Sequence, residues 1–202
     1  LAMNIARNVA VKAQLPVLVF SLEMGAEQLA LRLLGAEARM NLQELVNGSF
    51  ARGDWKALQD AASILIEAPL YIDDSSILST IELKARARRF KAKHGELGLI
   101  VVDYLQLMNA SRTMDSKQNE VAESSRGLKA IARELEVPVI ALSQLSRAVE
   151  SRNEKTPQLS DLRDSGAIEQ DADLVALLYR ESYYAKDPEG RNDNSASLDI
   201  AK

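Results

Sequence analysis

The chain has 202 residues, 47% of them hydrophobic and 27% charged, enough to enclose one full-sized core in a single globular domain. Its net charge of −4 and pI near 5.2 give no global basic signature for nucleic acid, so any such binding must come from local patches or oligomer geometry. The lack of cysteine excludes disulfides, zinc ribbons and thiol catalysis, and aromatic residues at 4% are too sparse for a single-strand stacking platform.

Residues 1–14 place Leu1, Ile5, Val9 and Ala13 on one helical stripe, with no N-cap or strand before it. Residues 17–24 read as a buried strand ending on a lone carboxylate, Glu23. Helices are expected over 24–38, 41–50 (ending at Asn47-Gly48) and 55–67. Residues 70–74 read as a short strand, followed by a basic helix over 80–94 that stops at Gly95. His94, the sole histidine, is placed there as a helix C-terminal cation. Leu99-Ile-Val-Val102 is an uninterrupted apolar run that delivers Asp103, the pattern of a strand buried on both faces. A polar connection (109–119), a helix (120–135) and a strand (137–144) ending on Ser143-Gln144 come next. Residues 146–160, with Arg147 and Arg152, read as a long exposed loop. Residues 161–173 form a short helical segment broken at Gly166. A further buried strand (174–179), a mobile loop (184–195) and a last strand (197–202) complete the chain. No apolar run approaches the roughly 18 residues of a membrane span and no signal peptide is visible, which points to a soluble, cytoplasmic protein. The alternation implies an α/β fold, a doubly wound and mostly parallel sheet flanked by helices.

Open α/β sheets bind ligands at the carboxyl ends of their strands. Asp103 there has the arrangement of a Walker B aspartate, which holds Mg²⁺ through water beside a nucleotide's phosphates. Glu23, from a second strand, suits the general base that polarises the attacking water. Gln144 would sense the terminal phosphate through its amide. Each has a plainer reading: Asp103 as a strand end before a loop, Glu23 as a charge at the next helix N-terminus, and Gln144 as an ordinary strand-end polar residue.

Four motifs in series carry a resemblance. Ser21-Leu-Glu-Met-Gly25, Asp103-Tyr-Leu-Gln-Leu-Met108, Leu142-Ser-Gln-Leu-Ser-Arg147 and Asp161-Leu-Arg-Asp-Ser-Gly-Ala-Ile-Glu-Gln-Asp-Ala-Asp173 together resemble the C-terminal, RecA-like ATPase domain of the bacterial replicative helicases of the DnaB family. The resemblance spans nearly the whole chain and implies a RecA-like P-loop NTPase core. It also implies a homo-hexameric ring that uses ATP or another nucleoside triphosphate with Mg²⁺, moves 5′ to 3′ on single-stranded DNA and unwinds the replication fork. Primase and a helicase loader would be its partners, through parts of the protein beyond these residues. By position Glu23 is then the catalytic glutamate, Asp103 the Walker B aspartate and metal ligand, and Gln144 the residue coupling phosphate state to the DNA loops. Arg163, Asp164 and Gly166 fall on the channel loop that touches the DNA backbone, with Asp164 standing where many members have Glu. Arg32 and Lys202 match basic positions near nucleotide, Lys202 acting on the neighbouring subunit's γ-phosphate.

A ring also accommodates the acidic net charge, because Arg147, Arg152 and Arg163 from several subunits would line one hole. In a lone subunit they would be solvated loop surface. A Gly-x-x-x-x-Gly-Lys-Ser/Thr loop occurs nowhere in the sequence. The resemblance places that loop just before Leu1, and an arginine finger shortly after Lys202. The expectation is a single motor domain over 1–202, cut at both ends and without useful ATP hydrolysis by itself. Another RecA-like DNA-dependent ATPase, of recombinase or repair type, and a catalytically inactive partner-binding fragment are the alternatives.

Overall fold

The computed structural model of this chain describes residues 1–51, 53–110, 116–185, 193 and 195–202, with the side chains of 163–165 outside that description. From the amino end come α1 (Ala2–Lys12), β1 (Val17–Ser21), α2 (Ala26–Ala38), α3 (Leu42–Asn47), α4 (Asp54–Glu67), β2 (Leu70–Asp73) and α5 (Thr80–His94). They are followed by β3 (Leu99–Asp103), a 3-10 turn (Leu105–Leu107), α6 (Lys117–Leu135), β4 (Val139–Ala141) and α7 (Ala148–Ser151). A 3-10 segment (Leu159–Ser165) leads into α8 (Gly166–Asp171), then β5 (Ala176–Tyr179), a 3-10 turn (Glu181–Tyr183) and β6 (Ser197–Ile200).

β1 and β3 lie at the centre of a four-stranded parallel sheet of order β2-β1-β3-β4. Alternate residues of these strands point to opposite faces. Leu18, Phe20, Ile100 and Val102 pack with Leu83 and Ala87 of α5 and Leu128 and Ile131 of α6. Val17, Val19, Leu99 and Val101 pack on the other face against Ala6 and Ala10 of α1 and Leu29 of α2. Helices on both faces make this the doubly wound, mostly parallel arrangement expected, and each large side chain so buried contributes about 1.5–3 kcal/mol.

Helix boundaries follow local chemistry. Ser79 and Glu82 form a reciprocal capping box at the start of α5, and Gly95 ends it in a left-handed conformation at φ 78. His94 stacks on Phe90 behind that stop. α6 begins three residues before the expected 120, because the Ser116 hydroxyl accepts the Asn119 N–H and caps it there.

Two expectations are corrected. The strand at 174–179 is buried on one face only: Val175 and Leu177 are covered, whereas Leu174 and Leu178 are exposed. It pairs antiparallel with β6 in a separate two-stranded sheet. The stretch 146–160 is not simply an exposed loop, since α7 interrupts it and buries Val149. Most of the loop expected at 184–195 lies outside the described residues.

Gly98, at the entry to β3, is a site of close approach. Its N–H donates to the Pro16 carbonyl at 2.8 Å, and a Cβ built there would sit 2.5 Å from Cβ of Leu15. That neighbour is fixed to the backbone and cannot rotate aside. Gly98→Ala should therefore destabilise the domain by about 1–3 kcal/mol, read as a lower urea midpoint with an unchanged m-value.

Candidate functional site

The carboxylates at the sheet edge owe their proximity to strand register. Ser21 and Asp103 are direct partners across β1 and β3, and the Leu22 N–H donates to the Asp103 carbonyl at 2.7 Å. Beyond β1 the buried Ser21 hydroxyl donates to the Met24 carbonyl (2.7 Å) and accepts the Met24 N–H (3.3 Å). These two bonds close a tight turn with an exposed Glu23 between them. Glu23 is thus on a pinned turn just past the strand, not in the strand itself. The amino end of α2 has its own acceptor, since the Asp74 carboxylate accepts the Ala26 N–H at 2.9 Å from the end of β2. Glu23 is therefore not needed as that helix's cap, which weakens the plainer reading of it.

Asp103 is half-buried, and its pKa is raised above the ordinary aspartate value. Burial is the main cause, the Glu23 charge adds to it, and Arg32 of α2 opposes both. The carboxylate opens on a cleft of about 290 Å³, lined also by Ala2, Asn4, Arg32 and Leu142. The first turn of α1 forms one wall. The cleft thus gathers a guanidinium and a partly desolvated carboxylate, a combination suited to a metal-bound polyphosphate. Among the described residues no cluster of three His, Cys, Asp or Glu side chains can enclose a metal. A cage of protein ligands does not fit. Mg²⁺ held through one carboxylate, water and phosphate oxygens does fit.

A second cavity, of about 430 Å³, lies on the other side of the β4 exit loop and is lined by Gln106, Lys117, Gln144, Arg147 and Asp161. Leu142 faces the first cavity while Gln144 and Leu145 face the second, so this loop is their common wall. Arg147 is exposed beside Gln144. Arg152, expected to meet DNA, is engaged within its own loop. Its guanidinium donates to the buried Asp161 carboxylate (2.8 Å) and to the Thr156 carbonyl (3.0 Å), bracing the loop. Asp161 is buried and Arg152 partly exposed, so removing the guanidinium would leave a buried carboxylate without its charged partner.

The backbone of Arg163 and Asp164 lies in the 3-10 segment leading to Gly166, their side chains being outside the description. Gly166 is exposed with φ −51, and a Cβ there would meet nothing within 4 Å. The fold itself has no need of glycine at this position. Lys202 is on the two-stranded sheet's side of the molecule, where its ammonium donates to the carbonyls of Glu169 (2.7 Å) and Gln170 (3.4 Å) near the end of α8. It does not line the Asp103 cleft. Sequence reasoning missed Asp74, Gln106 and the Arg152–Asp161 pair; only the third left a trace, as opposite charges flanking a loop.

The raised pKa of Asp103 has a consequence for stability. A carboxyl that holds its proton more tightly folded than unfolded is unfavourable above its folded pKa and neutral below its unfolded one. Without nucleotide or divalent cation, Asp103→Asn should raise the melting temperature at neutral pH. The gain should shrink as pH falls through the folded value and vanish below the ordinary aspartate value of about 3.9. Thermal melts of both proteins across that range check this, and an equal shift at every pH would refute it.

All of residues 1–202 match the family model described as DnaB-like helicase C terminal domain. The chain is 54% identical to the replicative DNA helicase DnaC of Bacillus subtilis (strain 168) over 192 residues, covering 95% of this chain and 42% of that protein. It is similar to a solved structure described as an ATPase domain, with a TM-score of 0.91, 39% identity, and coverage of 100% of this chain and 71% of that one. A second, described as a DnaB-like replicative helicase and its interactions with primase, gives a TM-score of 0.92 at 39% identity, covering 100% of this chain and 48% of that one. The chain spans less than half the length of the curated relatives it matches. The likeness carried by the four motifs thus extends over the full sequence and the backbone, and the chain belongs to the DnaB-like helicase C-terminal domain family.

Proposed function

We propose that this domain is the ATP-hydrolysing motor of a replicative DNA helicase that moves 5′ to 3′ on single-stranded DNA as a hexameric ring and unwinds the replication fork. The observation that carries the reading is the meeting of Glu23, Asp103 and Arg32 at one sheet edge, beside a cleft. In this reading Asp103 would hold Mg²⁺, which would supply neutralisation of phosphate charge. Glu23 accepts the proton of the water that attacks the terminal phosphate. Arg32 holds phosphate oxygens. Gln144, on the wall between the two cavities, couples nucleotide state to the DNA-binding segment. Lys202 serves the neighbouring subunit's site, which agrees with its place outside this chain's own cleft.

Single-stranded DNA is met by Arg163, Asp164, Gly166, Arg147 and Arg152, the last also bracing its loop through Asp161. Subunits arranged in a ring concentrate these arginines despite a net charge of −4. A primase partner is supported by the relative whose described structure includes primase. A helicase loader is the further expected partner, both met through the longer protein. The motor works in the cytoplasm at the nucleoid's replication forks. No described helix is long and apolar enough to cross a membrane.

In the full-length protein, Glu23→Gln should leave nucleotide affinity nearly unchanged while hydrolysis falls by roughly 10²-fold or more. Asp103→Asn should instead weaken Mg²⁺-dependent binding. Identical behaviour of the two in a nucleotide titration would end the division of roles.

Gly166→Ala tests the DNA contact without disturbing the fold. Stability should hold or rise by about 0.5–1 kcal/mol, because alanine suits a helical φ and nothing occupies the space. Affinity for single-stranded DNA should nonetheless fall. Arg163→Ala should weaken binding equally on unrelated sequences and reduce the salt slope by about one. Salt titrations of affinity on two sequences, alongside thermal melts, read both effects.

A further inference from the structure

We propose that Gln106 is the positioning residue that fixes Gln144 to the strand bearing Asp103, so that events at the metal-binding carboxylate reach the loop that faces the second cavity; this rests on the reading of Gln144 as the coupling residue. The side chain of Gln106 leaves the 3-10 turn three residues after Asp103. Its Oε1 accepts the Gln144 N–H at 3.2 Å. Its Nε2 donates to the Gln144 carbonyl at 3.1 Å and to the Ser143 hydroxyl at 2.9 Å.

The carboxamide thereby does what a strand backbone would do. β3 and β4 pair through Val102 and Ala141, and the Leu142 N–H still donates to the Val102 carbonyl at 2.9 Å. One more bond, from the Leu105 N–H at the start of the 3-10 turn to the Leu142 carbonyl at 2.9 Å, carries the contact past the end of β3. Beyond that point Gln106 takes over, holding both main-chain groups of Gln144 with one planar amide.

The chemistry is specific to glutamine. A glutamate would face the Gln144 carbonyl with an acceptor in place of a donor, and asparagine is one methylene shorter. Both donor hydrogens of Nε2 have partners, so the amide has one satisfying orientation. The clamp uses only the main chain of Gln144, whose exposed side chain lines the second cavity beside Arg147. A shift of the turn after Asp103 therefore moves the Gln144 backbone with it, and the side chain's position follows.

The test compares Gln106→Glu, Gln106→Ala and Gln144→Ala in the full-length protein by steady-state ATP hydrolysis with and without single-stranded DNA. For both Gln106 variants the ratio of DNA-stimulated to basal kcat should fall at least about tenfold, with KM for ATP within about twofold of wild type and the melting temperature retained. Gln144→Ala keeps the clamp, which uses only its main chain, and should lose stimulation to a similar extent. Adding Gln106→Ala to Gln144→Ala should then cost little more, the non-additivity of two residues in one path. Should Gln144→Ala lose stimulation while both Gln106 variants keep it, the clamp is overturned and the reading of Gln144 stands. If Gln144→Ala keeps stimulation, the reading of Gln144 fails and the proposal fails with it. A fall in melting temperature that accounts for the loss in both Gln106 variants would reduce Gln106 to a structural role and overturn the proposal.

Discussion

Everything at the candidate site depends on the pairing of β1 with β3. Both strands are apolar and buried along nearly their whole length, so a slip by one residue would exchange the side chains of the two packed faces and break the fit of both cores at once. The register that sets Ser21 opposite Asp103 is therefore held by the two cores above and below it. Glu23 and Asp103 inherit their closeness from hydrophobic packing that neither takes part in.

That closeness is electrostatically uncomfortable. Burial and the neighbouring Glu23 charge both disfavour the Asp103 carboxylate, and Arg32 offsets them only in part. The carboxylates are kept at the edge because the strands beneath them are too well packed to yield. An arrangement that is repulsive by itself and relieved by a cation is how a protein reserves binding free energy for a charged ligand. The neighbouring polar contacts serve the same end by fixing backbone. Ser21 closes its own turn, Asp74 holds the start of α2, and Arg152 braces its loop through Asp161.

The central strands were legible in the sequence because their signal is local: Leu99-Ile-Val-Val102 needs no partner to be read as buried on both faces. Glu23 and Asp103 were legible from strand position, whereas Arg32 was legible only through the family resemblance. The pair β5 and β6 was read less well, since a short apolar run does not say whether one face or two will be covered. Ser116 escaped notice as a cap because the polar stretch before it also offered Ser111, Thr113 and Asp115. Gln106 and Asp74 were not legible at all. Their partners lie 38 and 48 residues away, and a strand-end polar residue carries no mark of the backbone group it will find.

The β4 exit loop, with Leu142 facing one cavity and Gln144 the other, has a thermodynamic consequence. A wall shared by two cavities makes their occupants parts of one equilibrium. Whatever factor a ligand in the Asp103 cleft imposes on affinity in the second cavity, a ligand in the second cavity must impose on the first, whichever arrives earlier. The direction of information between the two cavities is therefore not written into the loop. At equilibrium the wall is a balance that either ligand tips equally, and only a step that dissipates free energy could give it a direction.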